Sequence, residues 1–452
     1  MNSKFKCSFT LKQHTPLIHF QHFQEDATLR ATELKPKLDR FLIRLFESNH
    51  IDIKPLLIGK GDKKALDYKV NIKNPIYYDE DVINSVVAME EPKKRNGKIQ
   101  YKEKRGQAVR FNNGKRIPKV NQFPMFFGNM MEDGSDEMDI KKFTICEEVE
   151  VHFFSFHTQI TKAIEENFSA FLMQTNFGTR QSKGFGSFYI ADEKPIQTKY
   201  WFDLNLESLI EDNNNVREHE QEFKRYYYLF ETIEYFYKAL RSGINAKRGR
   251  RTTFYFKSLM FLYGKDRLNA QWDKKSIKEN FYRGDRDYQR QKRDHRDPKG
   301  PVQYSSRKAF LLRDLFGLST DQQWMSYRDS ISKESVKKDK GQPKYARMKS
   351  PITFKPIRIS RNVFHVYFDW NQEVLNEVLG EEFKINSRAA RRSMRLSFPN
   401  QFSFDDFFEY IFNPKNLDLY EHVEEEYQDT DEFYIIEDIF YAIRKNLGYD
   451  VE

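Results

Sequence analysis

One stretch constrains this chain more than any other: Asn176-Phe-Gly-Thr-Arg-Gln-Ser-Lys-Gly-Phe-Gly-Ser187, with glycines at 178, 184 and 186. Glycine takes positive φ freely and has no Cβ to bar a neighbouring backbone, so this segment turns sharply or lies against something. Its flanks say which elements it joins. In ITKAIEENFSAFLM (160–173), Ile160, Ile164, Phe168 and Phe171 or Leu172 recur on one side, as in a helix. SFYIA (187–191) reads as a strand. A glycine turn from helix into strand is not a P-loop, because no Gly-Lys-Ser/Thr follows a four-residue gap. Nor is it a dinucleotide fingerprint, whose glycines leave a strand and open a helix. Two readings remain: a tight turn, or a cradle whose exposed amides, with Arg180 and Lys183 and the hydroxyls of Ser182 and Ser187, hold phosphates. The Phe185 ring, between Gly184 and Gly186, either stacks on bases or anchors the loop.

The residues before this stretch alternate between strand and helix patterns. FKCSFTL (5–11) alternates as a strand does, and Pro16 suits the bend that follows. From Thr28 to Glu47, Leu34, Leu38, Phe41, Leu42 and Leu45 mark an amphipathic helix, with Pro36 expected in its first turn. The basic stretch 91–119, with glycines at 97, 106 and 114, reads as a long β-hairpin or a mobile loop. Residues 143–155 alternate again as a strand. The succession predicts an α+β chain that opens with a ferredoxin-like βαββαβ domain carrying a large insertion and ending near residue 200. Beyond it, 223–242 reads as a helix and 257–263 as a short apolar element. Residues 285–300 are mixed in charge and are taken as disordered or partner-contacting. A hairpin is expected at 352–370, and helices at 404–412 and 437–447.

Charge narrows the partners. Lys plus Arg total 76 against 67 acids, a net charge of +9. Residues 421–452 are acidic apart from Arg444 and Lys445, so the remaining chain is more basic than the total, which suits a polyanion. The 41 Phe and 25 Tyr belong mostly to the core, while those beside glycine or basic loops are available to stack on bases. Cys7 and Cys146 are too few for a disulfide framework or a structural zinc site. No acidic spacing suits a pair of metals, and neither metal nor cofactor is expected. With no apolar signal run and no span of about 18 apolar residues, a cytoplasmic chain without a membrane partner is expected. Lys247, Arg248 and Arg250, within KRGRR, form a second candidate phosphate contact or an exposed basic turn.

These residues carry a family resemblance. A helix, a loop of the form G-x-R-x-x-x-G-F-G-S and a strand resemble the signature of the RAMP superfamily of CRISPR proteins. TPLIHF (15–20) resembles the start of RAMP first strands. LRATELKPKLDRFLIRLF (29–46) resembles a segment of the first subunit of the type III-B (Cmr) effector complex, with Arg30, Lys35, Leu38 and Phe41 at matching positions. Pro36 replaces a usual glycine there, and Asp39 a basic residue. RMKSPITFK (347–355) is similar to the R-x-x-S-P-I/L-x-F segment of the same family.

The resemblance implies two ferredoxin-like (RRM-like) RAMP domains, 1–200 and 201–452, with large basic insertions. It implies guide RNA, target RNA and other RAMP subunits as partners, and a chain that binds rather than cuts. The RNA-binding residues would be Arg30, Lys35, Lys37, Gly178, Arg180, Ser182, Lys183, Gly184, Phe185, Gly186, Lys247, Arg248, Arg250, Arg347 and Lys349. Other RAMP proteins cut guide precursors without metal through a histidine. In that alternative His19, or His14, in the cluster with His22, is the general acid or base, and Arg30 and Lys35 stabilise the developing charge. His152 and His157 are assigned to core or surface. A third reading is an assembly protein whose basic surface meets acidic partner proteins.

Overall fold

Side-chain alternation builds the first sheet. In the strand Lys6–Gln13 (β1), Cys7, Leu11 and Gln13 are buried while Lys6, Ser8 and Lys12 face solvent. There follow α1 (Ala31–Ser48), β2 (Lys69–Ile72), β3 (Glu148–Phe154), α2 (Thr158–Met173) and β4 (Phe188–Ile190). The strands lie in the order β2–β3–β1–β4, and each adjacent pair is antiparallel. In this computed structural model the described residues are 4–18, 28–58, 65–73, 145–146, 148–210, 218–248, 251–286, 288–289, 308–345 and 347–450, with short pieces between 94 and 116.

Both helices cover one face of this sheet, as their apolar spacing requires. On α1, Leu34, Leu38 and Leu42 are fully buried; on α2, Ile160, Ile164, Phe168 and Leu172 are. Each such side chain contributes roughly 1.5–3 kcal/mol by leaving water. Pro36 corrects one expectation. The helix starts at Ala31 behind Arg30, so Pro36 lies beyond the first turn and leaves the Thr32 carbonyl without its i+4 donor.

The chain continues with β5 (Trp201–Asn205), α3 (Glu218–Arg241), β6 (Ile244–Arg248), β7 (Arg251–Phe256), α4 (Leu259–Asp266), α5 (Asp273–Tyr282), β8 (Asp321–Trp324), β9 (Asp329–Ser335), β10 (Ile352–Arg358), β11 (Val363–Trp370), β12 (Glu382–Ser387), β13 (Arg392–Ser397), α6 (Phe404–Phe412) and α7 (Asp431–Asn446). It divides into two compact units: Met1–Ile233 with Thr353–Phe368, and Glu234–Ile352 with Asp369–Glu452. The first unit holds the βαββαβ sheet and a second sheet in the order β10–β11–β5. The second unit holds the antiparallel sheet β8–β9–β12–β13 and the hairpin β6–β7. The fold is α+β.

The acidic C-terminal segment is helical. Thr430 caps α7 by accepting from the Phe433 amide, and Asp431 and Glu432 fill its first turn, where the helix dipole favours negative charge. This cap starts the helix six residues before the expected Glu437. In the basic insert, Lys94–Arg95 pairs with Lys98–Ile99, and Glu103–Lys104 with Gln107–Ala108. Apart from Tyr101 and Arg116, the rest of that insert lies outside the described residues, as does the mixed-charge stretch past residue 289. Both cysteines are free and buried, and burial pushes each thiol up to about 12. Among the described residues no helix is long and apolar enough to cross a membrane, and no cluster of three or more His, Cys, Asp or Glu could hold a metal.

Candidate nucleic-acid interface

Local sequence explains the shape of the glycine turn between α2 and β4. Gly178, Gly184 and Gly186 have φ of 77°, 96° and 66°, and Arg180 adopts φ 57° without being glycine. Close approach also forbids a side chain. A Cβ on Gly178 would stand 2.5 Å from the Ile18 carbonyl oxygen. Between them, Gln181–Lys183 form one turn of 3-10 helix.

Segments far apart in the chain fasten this turn. From α1, Lys37 Nζ donates to the Asn176 carbonyl (2.7 Å), Gln181 Oε1 (2.8 Å) and Glu33 Oε1 (2.7 Å). Glu33 Oε1 also accepts from the Gly178 amide at 2.8 Å. From the end of β1, Thr15 Oγ1 donates to the Gly184 carbonyl (2.6 Å) and accepts from the Ser187 amide (2.9 Å). From β10, Lys355 Nζ donates to the carbonyls of Thr175 (3.0 Å) and Phe188 (2.8 Å), and the Phe354 carbonyl accepts from Asn176 Nδ2 (2.7 Å). Burial, and then the nearby Lys37 charge, hold the Lys355 ammonium well below the ordinary lysine range. Residues 15–18, helix α1, the turn 176–187 and Phe354–Lys355 of β10 therefore meet at this one place.

Two expectations are corrected. Phe185 is fully buried and stacks on Phe230, with centroids 3.8 Å apart and planes at 7°, so its ring anchors the turn and is closed to bases. The amides do not form an open cradle. Those of Phe177, Gly178, Thr179, Lys183, Gly184, Gly186 and Ser187 already donate to Gly186 O, Glu33 Oε1, Ile18 O, Arg180 O, Gln181 O, Pro16 O and Thr15 Oγ1. Lys183 is itself buried at 8% exposure. Only Arg180, Gln181 and Ser182 have partly exposed side chains within the turn.

A match to the Cmr1 N-terminal domain covers residues 4–244, more than half of the chain, and a match to the Cmr1 C-terminal domain covers residues 255–438. The chain belongs to the Cmr1 family. It is a Cmr1-like type III-B CRISPR protein, a subunit of the Cmr complex. No curated protein matches it significantly.

The other basic candidates in this Cmr1-family chain are scattered. Lys35 is used internally: its Nζ reaches Asp39 (3.1 Å) and the Leu66 carbonyl (2.8 Å) and lies over the Tyr68 ring at 3.9 Å. Asp39, buried, thus offsets the lysine above it. Arg30, half-buried, sits at the N-terminus of α1. Lys247 and Arg248 lie on β6, and Arg250 lies outside the described residues. Arg347 and Lys349 are exposed and belong to the second compact unit. Sequence reasoning missed Thr15, Glu33 and Lys355. Lys355 had a readable signal, a cation in the middle of the largely apolar strand ITFKPIR.

His19 and His22 lie outside the described residues. His14 is 5% exposed, and its Nδ1 accepts the Arg358 amide at 3.0 Å. Burial, then the charges of Lys355, Lys12 and Arg358, lower it to about 3. A sealed, neutral imidazole cannot reach a 2′-hydroxyl, so His14 is removed as general acid or base. It has a consequence for stability instead. Unfolded, His14 takes up a proton below about pH 6.5, whereas the folded chain resists protonation down to about pH 3. Stability is therefore full above that window and falls as pH drops through it, by about 2 kcal/mol at pH 5. Urea unfolding at pH 7 and pH 5 should show that loss, and His14→Gln should shrink it by a similar amount. An unchanged pH difference in the variant would contradict the assignment.

Proposed function

We propose that this chain is a non-catalytic RNA-binding subunit that grips the backbone of guide or target RNA within the type III-B effector, beside other RAMP subunits, in cytoplasmic antiviral defence. The carrying observation is the anchored turn: its fold is fixed from α1, β1 and β10, and Arg180, Gln181 and Ser182 remain at its surface. A preset loop presenting a guanidinium beside a hydroxyl suits a phosphate, and it contacts the backbone without reading sequence. Base pairing with the guide then supplies specificity.

In this reading residues 1–200 are a ferredoxin-like RAMP domain and 201–452 a second, with the basic insert, Arg30, Lys247, Arg248, Arg250, Arg347 and Lys349 as further backbone contacts. The sheet order β2–β3–β1–β4 in a βαββαβ succession supports the first. The succession β5, α3, β10, β11, with β11 between β5 and β10, gives the second a βαββ core, and that sheet clusters with residues 1–233 in the first compact unit.

The test is Arg180→Gly, which removes the cation at a φ of 57° that glycine tolerates. Binding of single-stranded RNA should weaken several-fold, and the slope of log affinity against log salt should flatten by about 0.7, one phosphate contact. Unchanged affinity and slope would reduce the turn to a structural device.

A further inference from the structure

The open face of the first sheet carries an aromatic pair that the glycine turn does not use. Register places Lys6, Phe154 and Lys69 in one row across β1, β3 and β2. Cys7, Phe153 and Val70 form the adjacent row and point the other way, and Phe153 packs on Phe168 of α2 with centroids 5.2 Å apart. Phe154 therefore stands on the face away from the helices, between two exposed lysines. Just past β3, Phe156 is 78% exposed and meets Phe154 edge-on, with centroids 4.9 Å apart and planes at 80°. Among the described residues neither Lys6 nor Lys69 has an ion pair. The acids nearby are occupied: Glu150 holds Lys73 at 3.3 Å and His152 at 3.2 Å, and Asp67 faces His157 at 3.6 Å.

One exposed and one half-buried apolar ring, bracketed by unneutralised cations, fit one class of partner. The rings offer π-faces to bases, and the lysines offer charge to the phosphates joining them. We propose that Phe154 and Phe156, with Lys6 and Lys69, form a base-stacking site for single-stranded RNA on the open face of this sheet. The proposal rests on the RNA-binding reading above and adds a contact to bases where the glycine turn contacts only backbone. A duplex hides its base faces and does not fit this site.

The test uses the full-length chain and a fluorescently labelled single-stranded oligouridine, with a duplex RNA of equal length for comparison. Phe156→Ala, at an exposed position, should leave the melting temperature unchanged. It should weaken the single strand about tenfold, the effect of losing one stacked base, and leave the duplex unchanged. Phe156→Trp should restore binding. Lys6→Ala with Lys69→Ala should flatten the salt slope by about 1.4. If wild type binds the single strand and all these variants match it, the sheet-face site is wrong while the RNA-binding reading stands. If wild type does not bind at all, both fall. If Phe156→Ala binds RNA normally but no longer enters the effector complex, the rings meet a protein and the proposal is overturned.

Discussion

Gly186→Ala should lower the stability of the first compact unit by about 3 kcal/mol or more, several times the effect of an ordinary surface substitution. Two causes add. The residue holds φ 66°, which costs an alanine roughly 1–2 kcal/mol. Its new Cβ would also lie 2.0 Å from the Phe177 carbonyl oxygen and 2.9 Å from Leu17 Cδ1. The backbones cannot simply part, because the Phe177 amide donates to the Gly186 carbonyl at 2.9 Å and the Phe177 ring is fully buried. Thermal unfolding should show a melting temperature lower by about 6–12 °C, using the scaling for a unit of some 250 residues. Gly284→Ala is the control, since a Cβ there meets nothing within 4 Å. If both variants melt like wild type, the turn gives way easily and is not rigid.

The second large effect lies in the second compact unit. Lys333 and Asp314 are fully buried and bonded at 2.5 Å, and beside them Arg313 Nε donates to buried Asp273 at 2.8 Å. Burial lowers the Lys333 pKa and raises that of Asp273. Asp314→Ala leaves a buried ammonium without its partner and should cost about 3–5 kcal/mol. Asp314→Leu combined with Lys333→Met removes both charges and should lie within about 1–2 kcal/mol of wild type, because an apolar pair of similar volume replaces a buried ion pair at little cost. Denaturant unfolding of the single and double variants decides the point. A double variant as unstable as the single would mean that the pair holds this region by specific geometry and not by mutual neutralisation.

What the sequence revealed follows from the range over which each cause acts. α1, α2 and α6 were legible because Leu34, Leu38, Leu42 and their counterparts recur within one helical turn. The antiparallel alternation of β1 and β3 was legible for the same reason, and so was the position of the glycine turn. Its chemistry was not. The amides of Gly178 and Gly186 look free in a linear reading, but Glu33 Oε1 and the Pro16 carbonyl, which accept them, lie far upstream. Phe185 could not be assigned inward or outward until Phe230 was placed beneath it. Pro36 was misplaced because Arg30 begins the helix without a side-chain cap, leaving no Ser, Thr, Asp or Asn to mark the start. The outward face of Phe154 was concealed in a strand that reads as core, since a run such as VHFF does not say which ring faces out.

The seating of β10 beside the glycine turn has a consequence for synthesis. A ribosome makes residues 1–233 first, but Thr353–Phe368, which complete that unit, emerge only after the whole intervening segment. At about 5–20 residues per second, this delay lasts on the order of 6 to 24 seconds. Throughout it the carbonyls of Thr175 and Phe188 lack the Lys355 ammonium, and Asn176 lacks the Phe354 carbonyl. The nascent N-terminal half is thus a waiting intermediate. Fragments ending near residue 240 should be expected to aggregate or to recruit chaperones, and the segment Thr353–Phe368 acts as the latch that releases the N-terminal half from that state.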